Sequence, residues 1–432
     1  MLVHLKTLGC RLNEAELETW SRDFYERGHQ MTREVDKAGL VVINTCAVTK
    51  EAVKKSRKLL RKAQRENPAA KLVITGCYAS LEPGQTAEIE GVDLVIPNSD
   101  KPRLVSIIHQ QLDLPEAEIS LTENDTSPLL FSGRQRAFIK VQDGCRYRCT
   151  YCIVTLARGE ESSRSINDII DEINVLTSQN IKEVVLTGVH LGGYGAGLNT
   201  NLAELLQEVL KSTDMQRIRM GSLEPWELYD DFWQLFEDHR VMPHLHLPLQ
   251  SGANSVLRRM ARRCKTEDFA QLLKQARAVN PLFNITTDII VGFPGETDKE
   301  WQQGLSFIEQ CNFGHIHIFA FSPREGTKAA ILPDPISRDI KRQRSEELHQ
   351  LAARMKRGNL EKMLEQQTKV LFEGNQQLNP DASIVWSGYT PNFQRVKVTT
   401  ERNDLCNQIL DVKLEQSLFN DELSGHLIGK SV

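Results

Sequence analysis

Ala137-Phe138-Ile139-Lys140-Val141-Gln142, then Asp143, then Gly144-Cys145-Arg146-Tyr147-Arg148-Cys149-Thr150-Tyr151-Cys152 is the stretch whose reading decides the fold. The first six residues read as a β-strand, and the residues after Asp143 form a C-x3-C-x2-C loop at its carboxyl end. In α/β folds that end of the sheet is where ligands gather, in the loops that connect strands to helices. Downstream the same alternation recurs. Glu183 to Thr187, Arg217 to Ser222, His244 to Leu249, Ile285 to Val291 and His315 to Phe321 read as further strands, most of them separated by helical spacing long enough for right-handed crossovers. Six βα units predict an incomplete version of the (β/α)8 barrel, with its working face at the strand carboxyl ends.

Upstream, three segments repeat one pattern of apolar run, polar turn and cysteine. They are His4-Leu5-Lys6-Thr7-Leu8-Gly9-Cys10, Leu40-Val41-Val42-Ile43-Asn44-Thr45-Cys46 and Leu72-Val73-Ile74-Thr75-Gly76-Cys77. Helical spacing over Glu14 to Arg27 and Glu51 to Arg65, and a further strand at Asp93 to Ile96, make this a βαβαβ series with a parallel sheet. All three cysteines then sit at strand carboxyl ends, although 36 and 31 residues separate them in sequence. Ile340 to Gln366 reads as a long polar connecting helix, and the tail carries strand-like runs at Lys369 to Phe372 and Arg395 to Val398, suited to a small β-barrel of the oligonucleotide-binding type. The class is therefore α/β: an N-terminal parallel-sheet α/β domain over 1–112, a linker over 113–134, a partial (β/α)6 barrel over 135–365 and a small C-terminal β-barrel over 366–432.

The whole chain agrees with that division. Its 432 residues correspond to about three domains of typical size. No run approaches a membrane span, and the start MLVHLKTLGC leads directly into a strand, so a cytoplasmic enzyme without membrane association is expected. Lys and Arg number 53 against 57 Asp and Glu, a net charge of -4, which excludes a uniformly basic nucleic-acid coat and leaves room for local basic faces. An odd count of nine cysteines without a secretory leader argues for reduced thiols, some of them metal ligands.

Three thiolates on one tight loop can hold three irons of a cubane cluster and leave the fourth iron without a protein ligand, where a substrate can bind. A structural zinc site is the alternative, but it closes its shell with four N or S ligands, and no fourth residue stands at zinc-ribbon spacing after Cys152. Cys10, Cys46 and Cys77 form a second set of three in matched contexts; the alternative is three inert buried thiols.

With these residues the sequence resembles the radical S-adenosylmethionine (SAM) enzymes, and within them the methylthiotransferases, over nearly its whole length. The resemblance implies that Cys145, Cys149 and Cys152 hold a 4Fe-4S cluster whose open iron chelates SAM, and that one electron cleaves SAM to methionine and a 5′-deoxyadenosyl radical. It implies that Cys10, Cys46 and Cys77 hold a second 4Fe-4S cluster that carries the sulfur to be inserted, and that the C-terminal barrel is a TRAM domain. Tyr151 matches the aromatic residue beside the SAM adenine, its alternative role being loop packing. The strand-end loops containing Gly188, Ser222, Glu224 and Gln250 match the lining of the SAM site, and Val291 to Thr297 its apolar wall; each is otherwise ordinary turn chemistry. Arg158 is expected to meet an anionic ligand or anchor its loop. The family's proline after the cluster loop is absent, Thr155 following Cys152-Ile153-Val154, and Cys264, Cys311 and Cys406 receive no role.

For the substrate, two basic stretches stand out: eight Lys or Arg between Lys50 and Arg65 opposed by Glu51 alone, and Arg258, Arg259, Arg262, Arg263 and Lys265. Both suit RNA phosphates, with solvated helix faces as the alternative. The tail from residue 366 holds six Lys or Arg and eight Asp or Glu, which suits a basic protein instead. Gly188-Val189-His190-Leu191-Gly192 and Gly388-Tyr389-Thr390-Pro391-Asn392-Phe393 resemble the branch that methylthiolates C2 of N6-threonylcarbamoyladenosine beside the tRNA anticodon, at position 37, with Tyr389 and Phe393 placed either to stack on bases or in the barrel core. The expected partners are tRNA, an external electron donor and a sulfur source. The enzymatic alternatives are isopentenyladenosine in tRNA and an aspartate of a ribosomal protein; the non-enzyme alternative is an iron-sulfur RNA-binding protein.

Overall fold

The computed structural model describes residues 1–114, 135–228, 230–415 and 422–428. Residues 115–134 of the expected linker and residues 416–421 and 429–432 of the tail lie outside the described residues. Leu40–Thr45 is buried at every position, the mark of a strand covered on both faces. It lies at the centre of a five-stranded parallel sheet in the order Gln30–Met31, Leu2–Thr7, Leu40–Thr45, Lys71–Gly76, Leu94–Ile96. The edge strand Gln30–Met31 is too short for periodicity to reveal, and it changes the meaning of the sheet. Strand order reverses between Leu2–Thr7 and Leu40–Thr45, and the crevice at such a switch point is where doubly wound sheets bind ligands. Cys10 and Cys46 follow those two strands.

The barrel consists of two parallel three-stranded sheets. Arg217–Met220, Glu183–Thr187 and Arg136–Lys140 form one, and His244–His246, Asn284–Val291 and His315–Ala320 the other. Single parallel bridges, Ile218 to Val241 and Ser222 to His246, join them. Among the described residues Arg136–Lys140 and His315–Ala320 do not pair, so the barrel stays open. The helix Arg11–Glu26 of the N-terminal unit packs beside that gap: Ala15 meets Phe138 and Val185, the Arg11 guanidinium lies 5.2 Å from the Phe138 ring centroid, and Glu18 accepts the Phe138 N–H at 2.9 Å.

The tail closes into a five-stranded barrel, Gln367–Leu378, Ile384–Tyr389, Arg395–Thr400, Leu423–Leu427 and Ile409–Glu415, around Val370, Phe372, Trp386, Val398 and Leu414. It docks on the amino ends of the first barrel strands. Arg217 donates to the Tyr389 and Lys369 carbonyls, and Arg219 to those of Thr390 and Pro391, at 2.8–3.0 Å. Fully buried Glu183 lies 3.0 Å from Arg219 and 3.1 Å from Arg136 and neutralises part of this charge. Tyr389 and Phe393 stack on each other at 4.8 Å, with Arg136 over both rings and Arg219 over Phe393. Of the two placements expected for these rings, the structure puts them, half-buried, in the joint between the barrels, against the guanidinium groups.

Candidate functional site

The cluster loop is held open by backbone constraints. Gly144 has φ +73°, and a Cβ there would stand 1.9 Å from the Glu160 carbonyl oxygen. The Cys145 N–H donates to the Gly159 carbonyl, the Thr150 N–H and hydroxyl to the Met260 and Arg259 carbonyls, and the Thr155 hydroxyl to that of Tyr147. These bonds leave Cys145, Cys149 and Cys152 half-buried on one loop. Burial, then the neighbouring thiols, push Cys152 up to about 12, and Cys145 rises to about 11, chiefly through burial. Metal must therefore displace protons from these sulfurs when it binds.

The second set converges from three strands. Gly9, at φ +108°, is pressed so closely onto Cys46 that a Cβ would lie 2.9 Å from its sulfur, which sets the Cys10 turn against Cys46. The Ser56 hydroxyl accepts the Cys46 N–H and donates to its carbonyl. Gly76, at φ +100°, lets Cys77 open the short helix Cys77–Leu81, since a Cβ would collide with Thr45 backbone at 2.3 Å. Burial, then Cys77 and Cys10, push the Cys46 thiol up to about 11, so the three groups sense one another electrostatically despite their separation in sequence. Neither set has all three sulfurs within 4.8 Å of one another. Each set offers three thiols, the donor number of a cluster with one open iron, and the Cys145 sulfur also lies within 4.8 Å of ligand atoms of Glu161 and His190.

Between the two sets runs a buried charge network that sequence reading misses. Arg158 is 3.0 Å from Glu16 and 2.9 Å from Asp143, and donates to Asn13 Oδ1 at 2.7 Å; Asn13 Oδ1 in turn is 3.6 Å from the Cys10 sulfur. Lys101 and Lys140 also reach Glu16, at 2.5 and 3.2 Å. Burial opposes ionisation of Glu16, but Lys101, Arg158 and Lys140 overcome it and hold its carboxyl well below the usual range. Three cations face two carboxylates beside Cys10; burial raises the pKa of that thiol, and the Arg158 charge opposes the rise. A sequence signal for this exists: Asn13 and Glu16 share the buried stripe of their helix with Leu12, Ala15, Trp20 and Phe24. Of the two roles expected for Arg158, anchoring across this seam is the one the geometry contains.

The strand-end residues divide. Glu224 accepts two hydrogen bonds from Arg262, at 2.7 and 3.2 Å; Arg262 also donates to the Pro248 carbonyl, lies 3.9 Å from the Cys149 sulfur and stacks 4.4 Å from the Trp226 ring centroid. Arg262 is therefore a buried partner of the cluster loop, which removes it from the basic stretch expected to meet RNA; Arg259 is likewise paired, with Glu300 at 2.8 Å. Gln250 holds the left-handed region at φ +75°, fixed by hydrogen bonds to Asp288 and Ile290 backbone. Backbone strain of this kind, about 1 kcal/mol or more, persists where surrounding structure imposes it and collects at functional sites. Ser222 is exposed at the bridge to His246, and Tyr151 packs against a buried apolar cluster that includes Val256, Met260 and Phe293. Gly188 admits Gln142, whose Oε1 would be 2.7 Å from a Cβ there and accepts the His190 N–H. His190 lies between Glu161, at 2.6 Å, and Glu227; burial opposes its charge, but these carboxylates raise its pKa. Across the barrel, the ligand atoms of His246, Asp288 and His317 lie within 4.8 Å of one another, a group without a sequence motif to announce it.

Comparison with known proteins follows the same division of the chain. Residues 2–97 match the uncharacterized protein family UPF0004 and residues 139–308 the radical SAM superfamily. The threonylcarbamoyladenosine tRNA methylthiotransferase MtaB of Bacillus subtilis (strain 168) is 34% identical over 426 residues, covering 95% of this chain and 93% of its own. The tRNA-2-methylthio-N(6)-dimethylallyladenosine synthase of Geobacillus kaustophilus is 30% identical over 444 residues, covering 99% and 82%. Among solved structures, the radical S-adenosylmethionine methyltransferase TsrM of Kitasatospora setae superposes with a TM-score of 0.56 at 15% identity, covering 76% of this chain and 77% of that one, a likeness of fold. With two three-thiol sets at strand ends and relatives matched across nearly the full length, the chain belongs to the MtaB-type branch of the radical SAM methylthiotransferases.

Proposed function

We propose that the chain inserts a methylthio group at C2 of N6-threonylcarbamoyladenosine at position 37 of tRNA, with Cys145, Cys149 and Cys152 holding one 4Fe-4S cluster and Cys10, Cys46 and Cys77 a second. The observation that carries this reading is the convergence of two three-thiol sets on either side of one buried seam, in a chain 34% identical to the Bacillus enzyme over 95% of its length. When bound, the clusters supply reductive cleavage of SAM to a 5′-deoxyadenosyl radical and a sulfur atom for transfer. Such chemistry is what an aromatic C–H bond demands, because no side-chain base removes so weakly acidic a proton. Electrons and sulfur come from outside the chain.

The protein's own residues bind and orient. Arg262 holds Glu224 against the cluster loop, and Glu224, Gln250, Ser222, Gly188 and Tyr151 lie on the segments proposed to line the SAM site. Arg158, the last residue of the short helix Val154–Arg158 after Cys152, is tied to the helix after Cys10, which keeps the two thiol sets in fixed relation, and its charge opposes the burial that raises the Cys10 pKa. No helix among the described residues is long and apolar enough to cross a membrane. Nucleoside mass spectrometry of tRNA from cells lacking this protein tests the reading. Loss of 2-methylthio-N6-threonylcarbamoyladenosine, restored by the wild-type chain, is expected; an unchanged peak, or loss of the methylthio isopentenyl nucleoside instead, overturns the substrate assignment.

A further inference from the structure

The helix Lys50–Glu66 buries Val53, Ser56, Leu60 and Ala63 and turns Lys54, Lys55, Lys58, Arg61, Lys62 and Arg65 to solvent. At about 100° and 1.5 Å per residue these six side chains occupy an arc of roughly 120° along roughly 17 Å of helix. Lys62 pairs with Glu66 at 3.4 Å, whereas among the described residues Lys54, Lys55, Lys58 and Arg61 make no ion pair. Arg57, on the flank, is engaged by Tyr78, Glu82 and Gln85. The face works against its own helix: Lys54–Lys58, Lys58–Lys62 and Arg61–Arg65 are like charges one turn apart, and Lys50 and Lys54 lie at the positive end of the helix dipole.

Exposed cations of the C-terminal barrel, by contrast, meet local carboxylates. Lys397 pairs with Glu422 at 2.7 Å, Arg402 with Asp404 and Lys413 with Glu365 at 2.8 Å. The helix also has the right address. It begins four residues after Cys46, and the Lys50 N–H donates to the Ser322 hydroxyl at 3.3 Å, just beyond the sixth barrel strand. We infer that the Lys54–Arg65 face is the phosphate-binding track for the RNA substrate, so that the N-terminal unit, and not the acidic C-terminal barrel, supplies most of the electrostatic affinity. The inference rests on the proposed tRNA reading; an acidic protein partner is the competing occupant.

The test uses the full-length, cluster-loaded chain with Lys54, Lys55, Lys58 and Arg61 all replaced by glutamine, a good helix former. Equilibrium binding of tRNA bearing N6-threonylcarbamoyladenosine is measured between 50 and 300 mM KCl. Each phosphate contact contributes about 0.7–0.9 to the salt slope, so the slope is expected to fall by about 3 and Kd near 100 mM salt to weaken at least about tenfold. Tm stays equal or rises, because repulsion has been removed, and RNA-independent cleavage of SAM is retained. Lys58→Gln alone, expected to lower the slope by about 0.9, serves if the quadruple variant does not fold. An unchanged Kd and slope overturns the inference, as does loss of binding in Lys397→Gln/Arg402→Gln instead. Normal methylthiolation with unimpaired variant binding sinks the helix assignment alone; salt-dependent tRNA binding by a wild-type chain that makes no methylthio nucleoside sinks the proposed function alone.

Discussion

Arg158 Nη1 lies 3.0 Å from Glu16 Oε1, an ion pair between side chains that are 1% and 3% exposed. It joins the short helix Val154–Arg158, which follows one thiol set, to the helix that follows Cys10 of the other. Removing one member of a buried pair strands the other charge and typically costs about 3–5 kcal/mol. Glu16→Gln leaves Arg158, Lys101 and Lys140 facing Asp143 alone, and a loss of about 3 kcal/mol or more is expected in urea unfolding of the apo-protein. A loss under 1 kcal/mol means that the seam does not hold the two units together.

Acid titration of that pair has a defined sign. The folded pKa of Glu16 is depressed well below 4.5, so its stabilisation is present above about pH 4.5 and disappears as pH falls through the folded value. The stability gap between wild type and Glu16→Gln is therefore expected to be constant from pH 5 to 7 and to narrow below pH 4.5. Urea midpoints across that range check it, and a gap that widens in acid contradicts the assignment of the charge.

The two thiol sets separate in activity. Cys145→Ala is expected to abolish 5′-deoxyadenosine formation. Cys46→Ala retains SAM cleavage, loses methylthio transfer and lowers bound iron by about four of eight atoms. Anaerobic reconstitution with iron analysis and chromatography of the SAM products reads all three. Equal loss of cleavage in both variants means that the sets do not have separate tasks.

The joint between the barrels is structural. Phe393→Ala removes the stack on Tyr389 and the contacts with Arg136 and Arg219, an expected loss of roughly 1–3 kcal/mol. Its Kd for tRNA at fixed salt is expected to stay within about twofold of wild type. A tenfold weaker Kd with unchanged stability would restore Phe393 as a base-stacking residue.

Much of this protein is determined by local pattern. The buried runs Leu40–Thr45 and Lys71–Gly76, the alternation of strand and helix and the C-x3-C-x2-C spacing each lie within a few residues, so they fix the parallel sheet, the open barrel and the first thiol set without reference to distant chain. The same holds for the strand-end placement of Cys10, Cys46 and Cys77. What tertiary structure alone decides is where charge is spent. Arg262 and Arg259 suit RNA phosphates in sequence and become partners of Glu224 and Glu300; Tyr389 and Phe393 suit either bases or a barrel core and pack in the joint; Arg158 and Glu16, 142 residues apart, form one buried pair. Pairing depends on the three-dimensional position of a partner and on the solvent removed around it, and neither quantity has a period along the chain.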